Sequence, residues 1–145
     1  MKKLVMCFSF LGFIFANCAF ASVTLTNNSS YNLNQTYTHQ YQMDDWNFPD
    51  SIQNHSVANA NIFFNYGIGY FPFSFNEEDD GAEVIYTTTC KDGSVENILI
   101  HADFKNSKEK MKITTSGGNC VIVSPTDFTT QNMVINALIT FGDNS

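Results

Sequence analysis

The chain has 145 residues, seven lysines and no arginine against fourteen acidic side chains, and a net charge of −7. That balance argues against a nucleic-acid binder, because such binding rests on Lys and Arg neutralising phosphates, and against attraction to anionic lipid by charge alone. The length supports one domain with a single hydrophobic core.

Met1-Lys2-Lys3 is a short basic start, Leu4 to Phe15 is almost continuously apolar, and Ala19-Phe20-Ala21 is a small-x-small cleavage pattern. Together they predict a secretory signal peptide over residues 1–21. The apolar run falls short of the ~20 residues a membrane-spanning helix needs. A lipid-anchor reading through Cys18 is disfavoured by Asn17, which sits where a small residue is wanted. Cleavage near Ala21 leaves a mature domain of residues 22–145, secreted or periplasmic, and removes Lys2 and Lys3 from the charge balance. It also removes Cys7 and Cys18, so Cys90 and Cys120 remain in an oxidising compartment that permits a disulfide.

The mature segment alternates apolar and polar residues with period two, the signature of half-buried strands. A short strand Val23–Thr26 opens it, followed by a turn over Asn27-Asn28-Ser29-Ser30. From 31 to 43 the residues Tyr31, Leu33, Tyr37, Tyr41 and Met43 share one face of a long predicted strand. Ala58, Ala60, Ile62, Phe64 and Tyr66 then oppose Asn59, Asn61 and Asn65. Glu83 to Cys90 is strand-like, and Ile98, Ile100, Ala102 and Phe104 oppose Leu99, His101 and Asp103. Met111 and Ile113 oppose Lys110, Lys112 and Thr114, and Cys120 opens another run through Val123. The last run places Met133, Ile135, Ala137, Ile139 and Phe141 together. Turn chemistry separates the runs at Asp79-Asp80-Gly81, Lys91-Asp92-Gly93 and Ser116-Gly117-Gly118-Asn119.

About eight short strands of this kind predict an all-β, antiparallel β-sandwich. Cys90 shares its parity with Val84 and Tyr86, and Cys120 with Ile122, so both cysteines should point inward and pair. Such a bridge stabilises by roughly 3.5 to 4 kcal/mol in the chain-entropy model.

Candidate chemistry is sparse. His39, His55 and His101 are the side chains whose ordinary titration lies near neutrality, and they are far apart in no recognisable motif. His101 and Asp103, two apart on one strand face, offer two metal ligands or an acid–base pair; the alternative is an ordinary solvent-facing pair. The chain has no HExxH, no GxSxG and, once the bridge forms, no free cysteine nucleophile. A non-enzymatic role is therefore expected. Glu77, Glu78, Asp79 and Asp80 form the densest charge cluster, a candidate for Ca²⁺ with its six to eight oxygen ligands. It lacks EF-hand spacing, and the alternative is a solvated turn that protects a sheet edge.

The aromatic content is more distinctive. Trp46 and Phe48 lie in one short stretch, and Tyr66, Tyr70, Phe71, Phe73 and Phe75 crowd another beside the acidic cluster. Glycine and proline there argue against a regular central strand. On loops, Trp46, Phe48, Tyr70, Phe71 and Phe73 would enter a membrane interface, stack on a glycan or meet a protein surface; otherwise they close one end of the core.

A Val23-Thr24-Leu25-Thr26-Asn27 strand, a Trp46-containing loop, Gly81 before Glu83-Val84-Ile85-Tyr86, then Asp92-Gly93 and Ile98-Leu99-Ile100 follow in an order similar to that of the secreted aegerolysin and actinoporin-like β-sandwiches. The likeness is one of spacing. It implies lipid recognition by aromatic loops, in some members with pore formation by a partner. The amphipathic N-terminal helix and the basic-aromatic headgroup cluster of actinoporins have no counterpart in this sequence, so the resemblance transfers no binding residue. The expected function is a secreted binding or effector-like module. The alternatives are a metal-binding or hydrolytic protein using His101 and Asp103, and a purely structural secreted domain.

Overall fold

In the computed structural model the described residues are 18–41, 45–65, 80–105, 108–130 and 136–145, and their regular structure is strand throughout. The strands are β1 (Cys18–Asn27), β2 (Leu33–Tyr41), β3 (Asp45–Asn47), β4 (Ser51–Ile52), β5 (Ser56–Asn65), β6 (Asp80–Thr89), β7 (Val95–Lys105), β8 (Lys108–Gly117), β9 (Val121–Ser124), β10 (Asp127–Thr130) and β11 (Asn136–Asp143). One sheet has the order β3-β5-β1-β11-β9 and the other β10-β8-β7-β6-β2-β4. The predicted all-β sandwich with one disulfide is the fold observed. Its strands outnumber the expected eight because β3, β4 and β10, each of two to four residues, are too short to alternate visibly. The four sheet edges are the four shortest strands, which limits the unpaired backbone offered to another chain.

Alternation builds the core as expected. Val23, Leu25, Ala60, Ile62, Ala137, Ile139 and Phe141 face inward from the first sheet, and Val84, Tyr86, Ile98, Ile100, Ala102, Met111 and Ile113 from the second. Burying each large aliphatic or aromatic side chain contributes about 1.5–3 kcal/mol. Tyr86 keeps its polar tip satisfied, its hydroxyl donating to Pro49 O at 2.7 Å. Burial, and then the charge of Asp50, push that phenol above the ordinary tyrosine range.

Several expectations are corrected. The register of β2 against β6 shifts between Gln35 and Tyr37; such a bulge inserts one residue and reverses the facing of all that follow. Leu33 is therefore buried while Tyr37 is exposed, and the two do not share a face. The pairing of β1 with β11 is parallel, Val23 opposite Ala137 and Leu25 opposite Ile139, within an otherwise antiparallel structure. Val121 and Val123 are buried and Ile122 is exposed, because Cys120 precedes β9 and does not keep its parity. Asp80 and Gly81 open β6 and are not a turn. Met43, Tyr66, Met133, Ile135 and the first seventeen residues lie outside the described residues.

Strand directions sort the connections to two ends of the sandwich. Residues 28–32, 53–55, 91–94, 118–120 and the C-terminal residues gather at one end, with Asn28 N donating to Phe141 O and Asn144 N to Cys120 O. Tyr41, Asn65, Asp80 and Asn136 lie at the other, as the pairs Tyr41 with Gly81, Asp80 with Phe104 and Ser22 with Asn136 show.

At the first end, buried Asn27 joins the sheets. Its Nδ2 donates to Tyr31 O (2.8 Å), Ile52 O (3.2 Å) and Gln53 O (3.1 Å), and its Oδ1 accepts from Ser29 N (3.0 Å) and Ser29 Oγ (2.7 Å). Removing one amide strands several buried partners, each costing about 1–3 kcal/mol. Asn27→Ala is therefore expected to lower the unfolding free energy by at least about 2 kcal/mol, read as a fall in the urea midpoint at unchanged slope. A loss within experimental error would remove Asn27 from this role.

Candidate functional site

The disulfide end is densely cross-linked by covalent and hydrogen bonds. Cys90 follows β6 and Cys120 precedes β9, so their bridge, with Cα atoms 5.8 Å apart, links one sheet to the other. A tight turn follows Cys90: Gly93 N donates to Cys90 O at 2.9 Å and Cys90 N to Ser94 O at 2.8 Å. Gly93 has φ +85°, a left-handed conformation that costs glycine little. Asp92 Oδ1 accepts from Ser94 N (2.9 Å) and Ser94 Oγ (2.6 Å). Gly118 passes so close over the bridge that a Cβ there would meet Cys90 Sγ at 2.7 Å.

Beneath the bridge lies Glu96, on the inner face of β7 and without solvent exposure. Its Oε2 accepts from Cys120 N at 2.7 Å and Val121 N at 2.9 Å, hydrogen bonds that fix the start of β9. Its Oε1 is buried without a hydrogen-bond partner. Cys90 Sγ lies 4.0 Å from Oε2; this is a contact and not a hydrogen bond, since a disulfide sulfur carries no proton. Ligand atoms of Cys90, Glu96 and Cys120 all lie within 4.8 Å of one another, but metals bind the thiolate, a form neither sulfur has while bridged. A cleft of about 240 Å³ opens on the bridge, its lining including Tyr31, Cys90, Asp92, Ser94, Asn119 and Cys120. Sequence reasoning passed over Glu96. The available signal was its parity with Ile98, Ile100 and Ala102, which places an acid on a core face.

On the outer face of the second sheet, His101 pairs with Glu83 and not with Asp103. His101 Nδ1 and Glu83 Oε1 are 2.9 Å apart, their side chains 41% and 37% exposed, and the two residues are cross-strand partners. A pair so exposed contributes about 0–1 kcal/mol. Asp103 Oδ1 is buried without a hydrogen-bond partner. Among the described residues, His101 and Asp103 belong to no group of three metal-ligating side chains. His39 stands opposite Glu83 on β2, and His55 sits in a connection at φ 53°.

The expected exposed role of Trp46 and Phe48 is corrected. They are 7% and 5% exposed, their ring centroids 4.4 Å apart at an interplanar angle of 38°. Pairing of β3 with β5 sets Trp46 opposite Ile62 and turns its ring inward; its Nε1 is buried without a hydrogen-bond partner. Tyr70, Phe71, Phe73, Glu77, Glu78 and Asp79 lie outside the described residues, and Asp80 is described as the first residue of β6. No protein-family model matches the chain, and no curated protein matches it.

Two carboxylates at the disulfide end give it a pH signature. Hydrogen bonds from the Ser94 side chain, then its backbone, hold Asp92 below the usual carboxylate range. Those from the Ser30 backbone (2.8 Å), then its side chain (2.7 Å), do the same for Asp143. A folded-state pKa below the unfolded value contributes stability that is present above the unfolded pKa and lost as pH falls through the folded one. The window thus lies below the ordinary aspartate value of 3.8. The difference in urea midpoint between wild type and Asp143→Asn should be constant from neutrality down to that value and shrink below it. A difference that persists unchanged into strong acid would mean that Asp143 does not act through its charge.

Proposed function

We propose that the chain is an exported, non-enzymatic binding module that meets a membrane, glycan or protein surface through the aromatic stretch carrying Tyr70, Phe71 and Phe73. The observation that supports this most is where the stretch is tethered. β5 stops at Asn65 and β6 starts at Asp80, at the end of the sandwich remote from the disulfide. Connections at the disulfide end are short and polar, and are fastened by Asn27, Asp92 and Asp143. Both ends of the long aromatic stretch are tethered at the remote end, and an apolar stretch there would suit an interaction site if its rings face solvent.

Export is part of the same proposal. A disulfide suits an oxidising compartment; the buried Val23 and Leu25 of β1 would remain after cleavage at Ala21, whereas the strand residues Cys18 to Ala21 would be removed. The resemblance to aegerolysin and actinoporin-like sandwiches points to lipid as the first surface to try. A second reading rests on the His101–Glu83 pair, a carboxylate-oriented imidazole of the kind that serves acid–base chemistry or metal binding.

Because the chain is acidic, membrane binding has to come from ring insertion and not from charge, so it should occur on neutral vesicles and change little with salt. Phe71→Ala with Phe73→Ala is expected to weaken vesicle or glycan binding at least about tenfold, given the free energy of burying two phenyl rings, with stability retained. Trp46, being in the core, serves as a folding control whose emission stays unchanged on binding. If each substitution instead costs about 3–5 kcal/mol of stability, as buried Phe→Ala changes do, the rings are core and the reading fails.

A further inference from the structure

We infer that the disulfide end contains a latent metal site, formed by Cys90, Cys120 and Glu96, which takes one Zn²⁺-class ion when the cysteines are in the dithiol state. The inference is independent of the binding role proposed above. Two thiolates and one carboxylate oxygen form a donor set suited to Zn²⁺, with Zn–S near 2.3 Å and Zn–O near 2.0–2.2 Å. Soft thiolates favour it over Mg²⁺ or Ca²⁺. The two sulfurs and one carboxylate oxygen of Glu96 already lie within 4.8 Å of one another, and Oε2 stands 4.0 Å from Cys90 Sγ.

Glu96 supplies the second, independent observation. It is fully buried, and its two oxygens have different surroundings. Oε2 is anchored by the N–H groups of Cys120 and Val121, whereas Oε1 has no hydrogen-bond partner. Anchoring one oxygen orients the other, as outer-shell donors do for metal-bound carboxylates. The bridge therefore sits above a carboxyl group with one acceptor unused. Gly118, having no Cβ, lets its backbone pack directly against Cys90 Sγ, Ser94 and Glu96, which holds these groups close together. Space and access are present too. Both cysteines line the cleft of about 240 Å³, an entry path for the ion and a place for solvent at its fourth position.

The chemistry balances with a named reductant. A water-soluble trialkylphosphine donates two electrons to the S–S bond and takes oxygen from water as its oxide, and each sulfur gains a proton. The ion then displaces both thiol protons as two metal–sulfur bonds form.

The test is a Co²⁺ titration of the full protein before and after phosphine reduction, followed by Zn²⁺ competition. Expected are thiolate-to-metal charge-transfer bands at one ion per chain in the reduced protein alone, displaced by Zn²⁺, and a Zn²⁺-dependent rise in the Tm of that form. Glu96→Gln should weaken binding at least about tenfold, the lower bound for disturbing a ligand's orientation. If Glu96→Gln does not fold, Glu96→Asp carries the same test, since its shorter chain withdraws the oxygen from the sulfurs. Absence of the bands, wild-type affinity in the Glu96 variant, or a reduced chain that stays unfolded with metal would each overturn the proposal.

Discussion

The Cys90–Cys120 bridge and the carboxyl group beneath it determine how the two sheets meet. A bridge with a sequence separation of 30 stabilises by roughly 3.5 to 4 kcal/mol, a large share of the 5–15 kcal/mol typical of a domain. The covalent bond alone does not set the register. Glu96 does, because its Oε2 binds the N–H groups of Cys120 and Val121 and thereby fixes where β9 starts. From there β9 pairs with β11, and β11 receives β1 in parallel. The C-terminal residues close over the same region through Asn144 N to Cys120 O. A buried acid is costly when its partners are incomplete, so the unpartnered Oε1 is a point at which the disulfide end gives up stability.

The two ends of the sandwich consequently have different physical characters. One is cross-linked by a disulfide, by the Asn27 amide and by the Asp92 and Asp143 carboxylates. The other collects the ends of β2 and β5 and the starts of β6 and β11. A rigid scaffold that carries its binding residues on connections at one end is a common division of labour. Under the proposed role, residues 66–75 would supply that contact; their Gly67, Gly69 and Pro72 are residue types that strand interiors disfavour.

Alternation made the core legible. Val84, Tyr86, Ile98, Ile100, Ala102, Met111, Ile113, Ala137, Ile139 and Phe141 were readable as inward residues and are buried; the pairing of the two cysteines is as expected, although Cys120 does not share the facing of Ile122. What escaped the pattern is what polarity does not encode. The extra residue of the bulge after Gln35 leaves no trace in composition, yet it reverses Tyr37. Parallel and antiparallel neighbours demand the same alternation, so the side on which β1 meets β11 was not readable. Asn27 and Glu96 resist prediction for the opposite reason. Their chemistry argues for the surface, and only hydrogen bonds supplied by other parts of the chain make burial tolerable.

Trp46 narrows the functional reading more than any other residue. Its stretch, Trp46-Asn47-Phe48-Pro49, has a proline and no long alternation, and so reads as a loop. Three-residue pairing with β5 and the Tyr86 hydroxyl bound to Pro49 O nevertheless draw it into the core. With Trp46 and Phe48 used for packing, the proposed aromatic contact surface contracts to the stretch carrying Tyr70, Phe71 and Phe73. Charge sharpens that contraction. Four of the five lysines from Lys91 onward lie on β7 and β8, where Lys110 stands opposite Asp103 and Lys112 opposite Asp127. Those two lysines thus meet acids across the ladder, whereas Lys105 and Lys108 stand opposite each other. The net charge of −7 disfavours long-range attraction to an anionic surface, so the membrane contact proposed above rests on short-range apolar contact.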